Sequence, residues 1–439
     1  MTMIKQEFGD GRDWFLEHRF GLFVHWGPYA MPGWHEQIQQ RMGIKRDDYA
    51  RQIARFDPVD FDPEPWLDLM QQAGMTYIVI TTKHHDGFCM WDSKRTDFKV
   101  TRNGGPDALK TLADACHARG IKLGLYYSVV DWKHPAYPNQ GRHHELPLQD
   151  GDTPDENVYL SYLKEQIREL CTGYGDVSYI WWDMNVPQWE DESIHAMIRE
   201  LQPGCVINDR GFHDRDAVDH WQQGIIATRE RDYNPALGET DDVIKLPTES
   251  CDSLDALSWG YKTDADYYSL AYLKRNIAEN MVRGNNYLLN VGPDAKGIIP
   301  PQQVDMLRQI GDWYEKIKAC FTNTTPVTGM IEKPGVSLMQ ANEPTADGEY
   351  EYYVIVTEPL NCRGLQLRPI DASPLWVKLL NTSEYMQWAR DIVPNDVTHP
   401  YLRIREIPVD EMAGDVLVFK MLFAKPLEVS TQMNTVEKI

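Results

Sequence analysis

Tyr77-Ile78-Val79-Ile80-Thr81-Thr82-Lys83-His84-His85-Asp86 is an apolar, β-branched run that ends in titratable side chains. It predicts a buried strand over Tyr77 to Thr82, with chemistry-bearing residues where the strand stops. The same plan repeats on either side. Phe20 to His25 is a short strand closed by His25, and Lys122 to Ser128 ends in Tyr126-Tyr127-Ser128. Ser178 to Asp183 ends in Trp181-Trp182-Asp183, and Val206 to Asn208 runs into Asp209-Arg210. Amphipathic segments separate these strands: Pro65 to Gly74, Asp107 to Gly120, Val158 to Leu170 and Ser193 to Leu201. Further on, a helix over Ala265 to Val282 precedes a strand over Tyr287 to Val291, and Pro301 to Lys318 is a helix opened by proline. Alternating strands and helices imply a parallel sheet with helical crossovers. The turn after the first strand, His25-Trp26-Gly27-Pro28, lacks the Gly-rich phosphate fingerprint of a doubly wound sheet. A barrel brings the C-terminal ends of its strands to one mouth, where its chemistry sits. Strand after strand closing on polar and aromatic residues therefore predicts an α/β fold, a (β/α)8-like TIM barrel.

Beyond the last helix the pattern changes. Tyr350 to Val356, Leu375 to Leu380, Leu402 to Ile407 and Val416 to Phe419 read as strands with turns and no helices between them. They predict a C-terminal antiparallel β-sandwich. The expected division is a catalytic barrel over 1–322 and a sandwich over 323–439.

The 439 residues carry 44 basic and 66 acidic side chains, a formal charge of −22. That charge opposes nucleic-acid binding and adhesion to anionic lipid, both of which need a basic surface. No stretch is apolar and long enough to span a membrane. Met1 to Asp10 shows no basic stretch followed by an apolar run, so a cytoplasmic location is expected. The seven cysteines are scattered, without a C-x-x-C pair, and read as free thiols in a reducing compartment. Asn323-Thr324-Thr325 and Asn381-Thr382-Ser383 then read as chance matches to the glycosylation pattern. The 14 Trp and 22 Tyr, against 12 Phe, suit carbohydrate binding as well as a large core.

Several residues at the expected mouth could do chemistry. Asp183 ends an apolar strand, a costly place for a carboxylate unless it is used, paired or hydrogen-bonded. It is either a nucleophile or base held by a strand end, or a cap or ion-pair partner. His84 and His85 could bind a metal. However, adjacent histidines in an extended chain point to opposite sides, and no third ligand stands at a helical spacing. Neutral histidines donating hydrogen bonds to a polyol fit better, and no metal or cofactor is expected. Arg210 would bring positive charge to the mouth, or form an ion pair with Asp209 or Asp86. Glu36 lies on the loop after the first strand. The loop-rich stretch from Thr228 to Tyr261 offers Glu230, Glu239 and Glu249. Asp183 with one of these would supply the two carboxylates that glycoside hydrolysis needs, and spacing does not choose among them.

At this point the chain resembles a known family. His25-Trp26-Gly27, Thr82 to Trp91, Gly124-Leu125-Tyr126-Tyr127-Ser128, Trp181-Trp182-Asp183, Ile207-Asn208-Asp209-Arg210, Ser258-Trp259-Gly260-Tyr261 and Asn286 to Pro293 are similar, in order, to the α-L-fucosidases of glycoside hydrolase family 29. The resemblance implies a retaining exo-glycosidase that releases terminal α-L-fucose from fucosylated oligosaccharides or glycoconjugates. It places Asp183 at the nucleophile position. His25, Glu36, His84, His85, Tyr126, Trp181 and Arg210 fall at sugar-holding positions, and Trp259 is expected beside the sugar, with Trp26 or Trp34 as further candidates. Glu249 falls near a Trp-Glu-x-Cys pattern and is the favoured acid/base. Glu230, in a segment similar to a Thr-Pro-Glu pattern, is the alternative. A carboxyl separation of about 5–5.5 Å is expected for this mechanism. The chain departs from the family at Gln37, where a Trp is usual and Trp34 could substitute, at Thr248 for Trp, and at Met184 for Gly after the nucleophile. A related L-sugar such as L-galactose, or a non-catalytic sugar-binding barrel, is the alternative reading. A homo-oligomer is left open.

Overall fold

The computed structural model describes residues 7–212, 224–230, 247–327, 330, 331, 333–367, 370, 372–393 and 396–427. The chain runs α1 (Gly11–Glu17), β1 (Phe20–Val24), α2 (Ile38–Arg41), α3 (Arg46–Gln52), α4 (Glu64–Gln72), β2 (Tyr77–Lys83), α5 (Ala108–Ala118), β3 (Lys122–Ser128), α6 (Glu156–Gly173) and β4 (Tyr179–Asp183). It continues through α7 (Glu192–Leu201), β5 (Val206–Asn208), β6 (Ile225–Glu230), β7 (Thr248–Ser253), α8 (Leu270–Val282), β8 (Asn286–Val291) and α9 (Pro301–Ile317). Strands β1 to β8 are parallel and close into a barrel in sequence order, as the strand-and-helix alternation predicts. Helix starts follow side-chain caps: Asp107, Asp155, Asp191 and Ser269 each accept from a backbone N–H in the first turn that follows. The Ser269 cap explains why the expected helix from Ala265 starts later. Residues before it are held instead by backbone bonds from Tyr268 N to Leu254 O and Ala256 N to Asp266 O.

The sequence reading missed β6 and β7; the end of β6 and all of β7 lie in the Thr228 to Tyr261 stretch read as loop-rich. Thr248 to Ser253, Thr-Glu-Ser-Cys-Asp-Ser, carries almost no apolar signal, yet every residue is buried. Glu249 and Ser253 are held by hydrogen bonds instead of apolar packing, so burial there leaves no hydrophobic pattern to read.

After α9 come β9 (Thr324–Pro326), β10 (Val336–Ala341), β11 (Tyr350–Val356), β12 (Gly364–Leu367), β13 (Trp376–Leu379), β14 (Glu384–Tyr385), β15 (Gln387–Val393), β16 (Asp396–Arg405) and β17 (Leu417–Phe423). They form a six-stranded sheet, β14-β13-β17-β11-β10-β9, and a three-stranded sheet, β12-β16-β15, both antiparallel. Side chains alternate across a strand, and β11 uses both faces. Tyr352, Val354 and Val356 enter the core shared with Leu365, Leu367, Leu402 and Ile404 of the smaller sheet. Tyr353 and Ile355 enter the large core that contains the barrel and its helices. Leu338 and Met339 of β10 divide in the same way. The sandwich is thus bonded to the barrel by apolar burial, reinforced by the Lys274 to Asp415 ion pair at 2.6 Å. Ile355→Ala should cost about 2–5 kcal/mol through the cavity it leaves. In urea unfolding this is expected as a lower midpoint for one transition that reports on barrel and sandwich together. An unchanged barrel signal would show that the shared core does not couple them.

Candidate active site

The mouth is built by the last residues of adjacent strands. Asp183 ends β4 and Glu230 ends β6, while Arg210 follows β5 between them. The β4–β5 ladder pairs Tyr179 with Val206 and Ile180 with Ile207. Asn208 prolongs it with its side chain, accepting from Trp182 N at 2.8 Å and donating to Trp182 O at 2.9 Å. That lock fixes the strand end that carries Asp183. Asp183 is 6% exposed. It accepts from the Tyr126 hydroxyl at 2.6 Å and from Arg210 Nη1 at 3.0 Å, and His85 Nε2 lies 3.8 Å away. Burial alone would raise its pKa, but the Arg210 guanidinium and the Tyr126 hydroxyl work against it, and the carboxyl is held below its ordinary value. Arg210 Nη1 also donates to Glu230 Oε1. Burial opposes the Arg210 charge, yet Glu230 and Asp183 more than compensate and keep the guanidinium protonated. Arg210 pairs with neither Asp209 nor Asp86. Asp209 binds Thr228 N and Arg229, and Asp86 accepts from Tyr49 and Phe88 N.

The histidine segment departs from the extended geometry expected for it. The β2–β3 register slips between Thr81 and Lys83, and Gly87 N then closes a turn onto His84 O at 3.0 Å. Gly87 adopts φ +79°, and a Cβ there would stand 2.4 Å from Asp131 Oδ1. The turn puts His84 and His85 on one side, with ring centroids 4.1 Å apart. Bulges beside active sites commonly re-aim side chains in this way. Lys83 points elsewhere and is buried against Asp131 at 2.9 Å and Tyr159. Ser128 Oγ donates to Val130 O, so His85 Nδ1 must donate to Ser128 Oγ at 2.7 Å. Neutral His85 then presents Nε2 as an acceptor beside Asp183. Burial pushes its pKa down to about 4 against the pull of Asp183, so it is uncharged at neutral pH. Burial also drives His84 well below the ordinary histidine value. His84 Nδ1 is buried and makes no hydrogen bond among the described residues. Among those residues, no group of three or more His, Cys, Asp or Glu could hold a metal ion.

Beside them, with its ring 5.8 Å from that of His84, His25 Nδ1 donates to Asn290 Oδ1 at 2.6 Å, and its ring lies 5.3 Å from that of Trp259. Asn290 Nδ2 donates to Trp259 O at 2.7 Å and Ser253 Oγ at 3.0 Å. Glu36 is buried, and its Oε2 accepts from Ser258 Oγ, Trp259 N and Gly260 N at 2.9–3.1 Å. It therefore clamps the loop that carries Trp259. Asn290, Ser128 and Ser258 were not singled out as site residues. Ordinary polar residues give no signal until their partners are known. His144 was also missed: its ring lies 5.5 Å from that of His85, and burial lowers its pKa to about 4. Trp26, offered with Trp34 as a further candidate, does not face the mouth. It is fully buried among Phe56, Phe61 and Trp66. Trp34 is half-buried on the loop after β1.

Glu249 does not lie at the mouth. It is the second residue of β7, 1% exposed, and accepts from the Tyr77 hydroxyl, the Tyr179 hydroxyl at 3.1 Å and Trp181 Nε1 at 3.1 Å. Tyr77 and Tyr179 are the first residues of their strands and pack on Phe15 of α1, at the opposite end of the barrel. Four residues of strand separate Tyr179 from Asp183, about 13 Å at the usual rise. Glu239 lies outside the described residues.

Paired carboxylates at the mouth of a (β/α)8 barrel, framed by neutral histidines and aromatic rings, define a barrel glycoside hydrolase. A family model for α-L-fucosidases matches residues 5–318. Human tissue α-L-fucosidase is 28% identical over 412 residues, covering 86% of this chain and 82% of that one. Among solved structures, α-L-fucosidase isoenzyme 1 from Paenibacillus thiaminolyticus aligns with a TM-score of 0.82 at 31% identity, over 96% of this chain and 99% of that one. A Bacteroides thetaiotaomicron α-L-fucosidase, trapped as a covalent intermediate, shares the fold at 23% identity and a TM-score of 0.74, over 96% and 97% of the two chains. The chain belongs to the α-L-fucosidase family. No helix among the described residues is long and apolar enough to cross a membrane.

Two measurements test the local physics of this site. Met184, directly after Asp183, sits at φ +52°, the left-handed region that favours glycine. Met184→Gly should be more stable than Met184→Ala by about 1 kcal/mol in thermal unfolding, the reverse of the usual order. Burial raises the Glu249 pKa from 4.5 to about 7, against the bonds from Tyr77, Trp181 and Tyr179. A raised folded-state pKa favours the protonated form. Its contribution is complete below pH 4.5 and is lost as pH rises through about 7. Glu249→Gln should therefore lose less stability than wild type between those pH values, as measured by urea midpoints. Parallel pH profiles would refute the burial argument.

Proposed function

We propose that the enzyme releases terminal α-L-fucosyl residues with retention, using Asp183 as nucleophile and Glu230 as acid/base. The observation that carries this reading is the shared Arg210 nitrogen. One bond to it is 3.0 Å and the other is within hydrogen-bond reach, so the two carboxyl oxygens lie within about 6 Å of each other. Retaining glycosidases place these groups about 5–5.5 Å apart, and inverting ones about 6.5–9.5 Å. Glu249 cannot serve, because it is enclosed at the other end of the barrel.

In the first step an Asp183 oxygen attacks the anomeric carbon, and Glu230 donates its proton to the departing glycosidic oxygen. Asp183 becomes an ester and loses its charge. Arg210 then serves Glu230 alone, which favours the carboxylate that must take a proton from the incoming water. Water attacks the anomeric carbon, the ester bond breaks, and fucose leaves with its original configuration. The trapped covalent intermediate of the Bacteroides fold relative is the kind of state this route passes through. His84 Nδ1 and His85 Nε2 support the sugar-holding part of the reading, since sugar hydroxyls both donate and accept.

Asp183→Ala should lower turnover of 4-nitrophenyl α-L-fucoside by at least about a thousandfold. Azide should restore turnover with formation of the β-fucosyl azide. Glu230→Ala should lose about 10²–10⁴-fold on substrates with poor leaving groups and far less on activated ones. Full activity in Glu230→Ala, or inverted fucose as the first product of wild type by proton NMR, would overturn the assignment.

A further inference from the structure

The reaction proposed above makes no use of Glu249, yet this carboxylate is 1% exposed and receives three hydrogen bonds in the barrel interior. A buried carboxylate is costly, and three dedicated donors indicate a task for it. One of those donors, Trp181 Nε1, belongs to a ring in an apolar cluster with Phe23, Val79, Val206, Ile226 and Leu288, where an indole N–H has few other acceptors. Tyr126 lies nearly parallel to the same indole, with centroids 5.4 Å apart and planes 18° from parallel. The Arg210 guanidinium stands over it at 5.0 Å. Tyr126 and Arg210 are the two groups that hydrogen-bond Asp183. Both therefore rest on one ring, and Glu249 sets that ring's orientation.

We infer that Glu249 is a positioning residue: from inside the barrel it fixes the Trp181 indole, which seats Tyr126 and Arg210 against Asp183. The inference rests on the Asp183 and Glu230 reading and assigns Glu249 no contact with substrate. It also accounts for the polar layer at the far end of the barrel. Tyr77 and Tyr179 reach Glu249 from β2 and β4, so three strands converge on the carboxylate that holds the ring.

The test uses Glu249→Ala and Glu249→Gln in the full chain, with fucosides of good and poor leaving groups. For Glu249→Ala, kcat/KM should fall by about 10–100-fold through misplacement of the bonded groups. The factor should be the same for both leaving groups, and azide should give no rescue. The acid limb of the kcat/KM profile should move to higher pH, because Tyr126 and Arg210 no longer hold Asp183 ionised as strongly. Glu249→Gln keeps a carbonyl acceptor for Trp181 and should retain most of the activity with the wild-type acid limb. Where Glu249→Ala does not fold, Trp181→Phe removes the same N–H tether while keeping a ring, and the same acid-limb shift is expected. A folded Glu249→Ala with wild-type kcat/KM and acid limb would overturn the positioning role and leave the Asp183 and Glu230 reading intact. So would Glu249→Gln as impaired as alanine, or Trp181→Phe with an unmoved acid limb. Loss confined to poor leaving groups, with azide rescue, would make Glu249 the acid/base and overturn both.

Discussion

Arg210 Nη1 donates to Asp183 on one side and to Glu230 on the other. Two carboxylates this close repel, so one of the pair tends to hold a proton; in the proposed reaction that one is Glu230, and the cation helps Asp183 to stay ionised. The guanidinium lets both sit at one mouth, and much of the local structure serves to put it there. Its strand is only three residues long, so the Asn208 amide extends the ladder to Trp182. Asp209, which could compete for Arg210, is occupied by Thr228 N and by Arg229. The Trp181 face supports the guanidinium from below, as cation–π attraction favours.

The barrel interior is accordingly layered by polarity. At the closed end, Glu249 and its tyrosines form a polar layer sealed by Phe15 of α1. Trp181 belongs with Phe23, Val79, Val206, Ile226 and Leu288 to one apolar cluster that runs from these tyrosines to Tyr126. At the mouth come Asp183, the histidines and Arg210. Glu249 lies low on β7 and is held there by Tyr77, Tyr179 and Trp181, whereas Glu230 ends β6 and shares Arg210 with Asp183.

This layering also explains what the sequence could and could not disclose. Strands such as Tyr77–Lys83 and Tyr179–Asp183 are apolar along their buried length and polar at the end, so their fold and their mouth residues were readable together. Strand β7 is buried by hydrogen bonding, and its Thr-Glu-Ser-Cys-Asp-Ser sequence looks like a loop. Depth along the barrel axis is set by register, Glu249 opposite Asn286 and Thr228, and no local pattern encodes it. The motif around Glu249 thus invited a role at the mouth that the register denies. The family's usual glycine after Asp183 has a physical basis, since Met184 adopts the left-handed backbone that glycine tolerates. Asn290, Ser128 and Ser258 stand within the family-like blocks, but their individual roles were not readable because those roles exist only through partners distant in sequence.

The histidines complete the electrostatic argument. Burial keeps His84, His85 and His144 neutral at physiological pH, although Asp183 pulls His85 and His144 the other way. A neutral imidazole has one donor and one acceptor and so matches a sugar hydroxyl, which is both. An imidazolium would offer donors alone. At the 3.8 Å between His85 Nε2 and Asp183 Oδ2, it would also offset the negative charge that must stabilise the developing oxocarbenium ion. In the proposed reaction the site therefore needs its histidines dry as much as it needs them present. The apolar and aromatic packing around Tyr29, Tyr126 and Trp132 acts on the chemistry by keeping those rings uncharged.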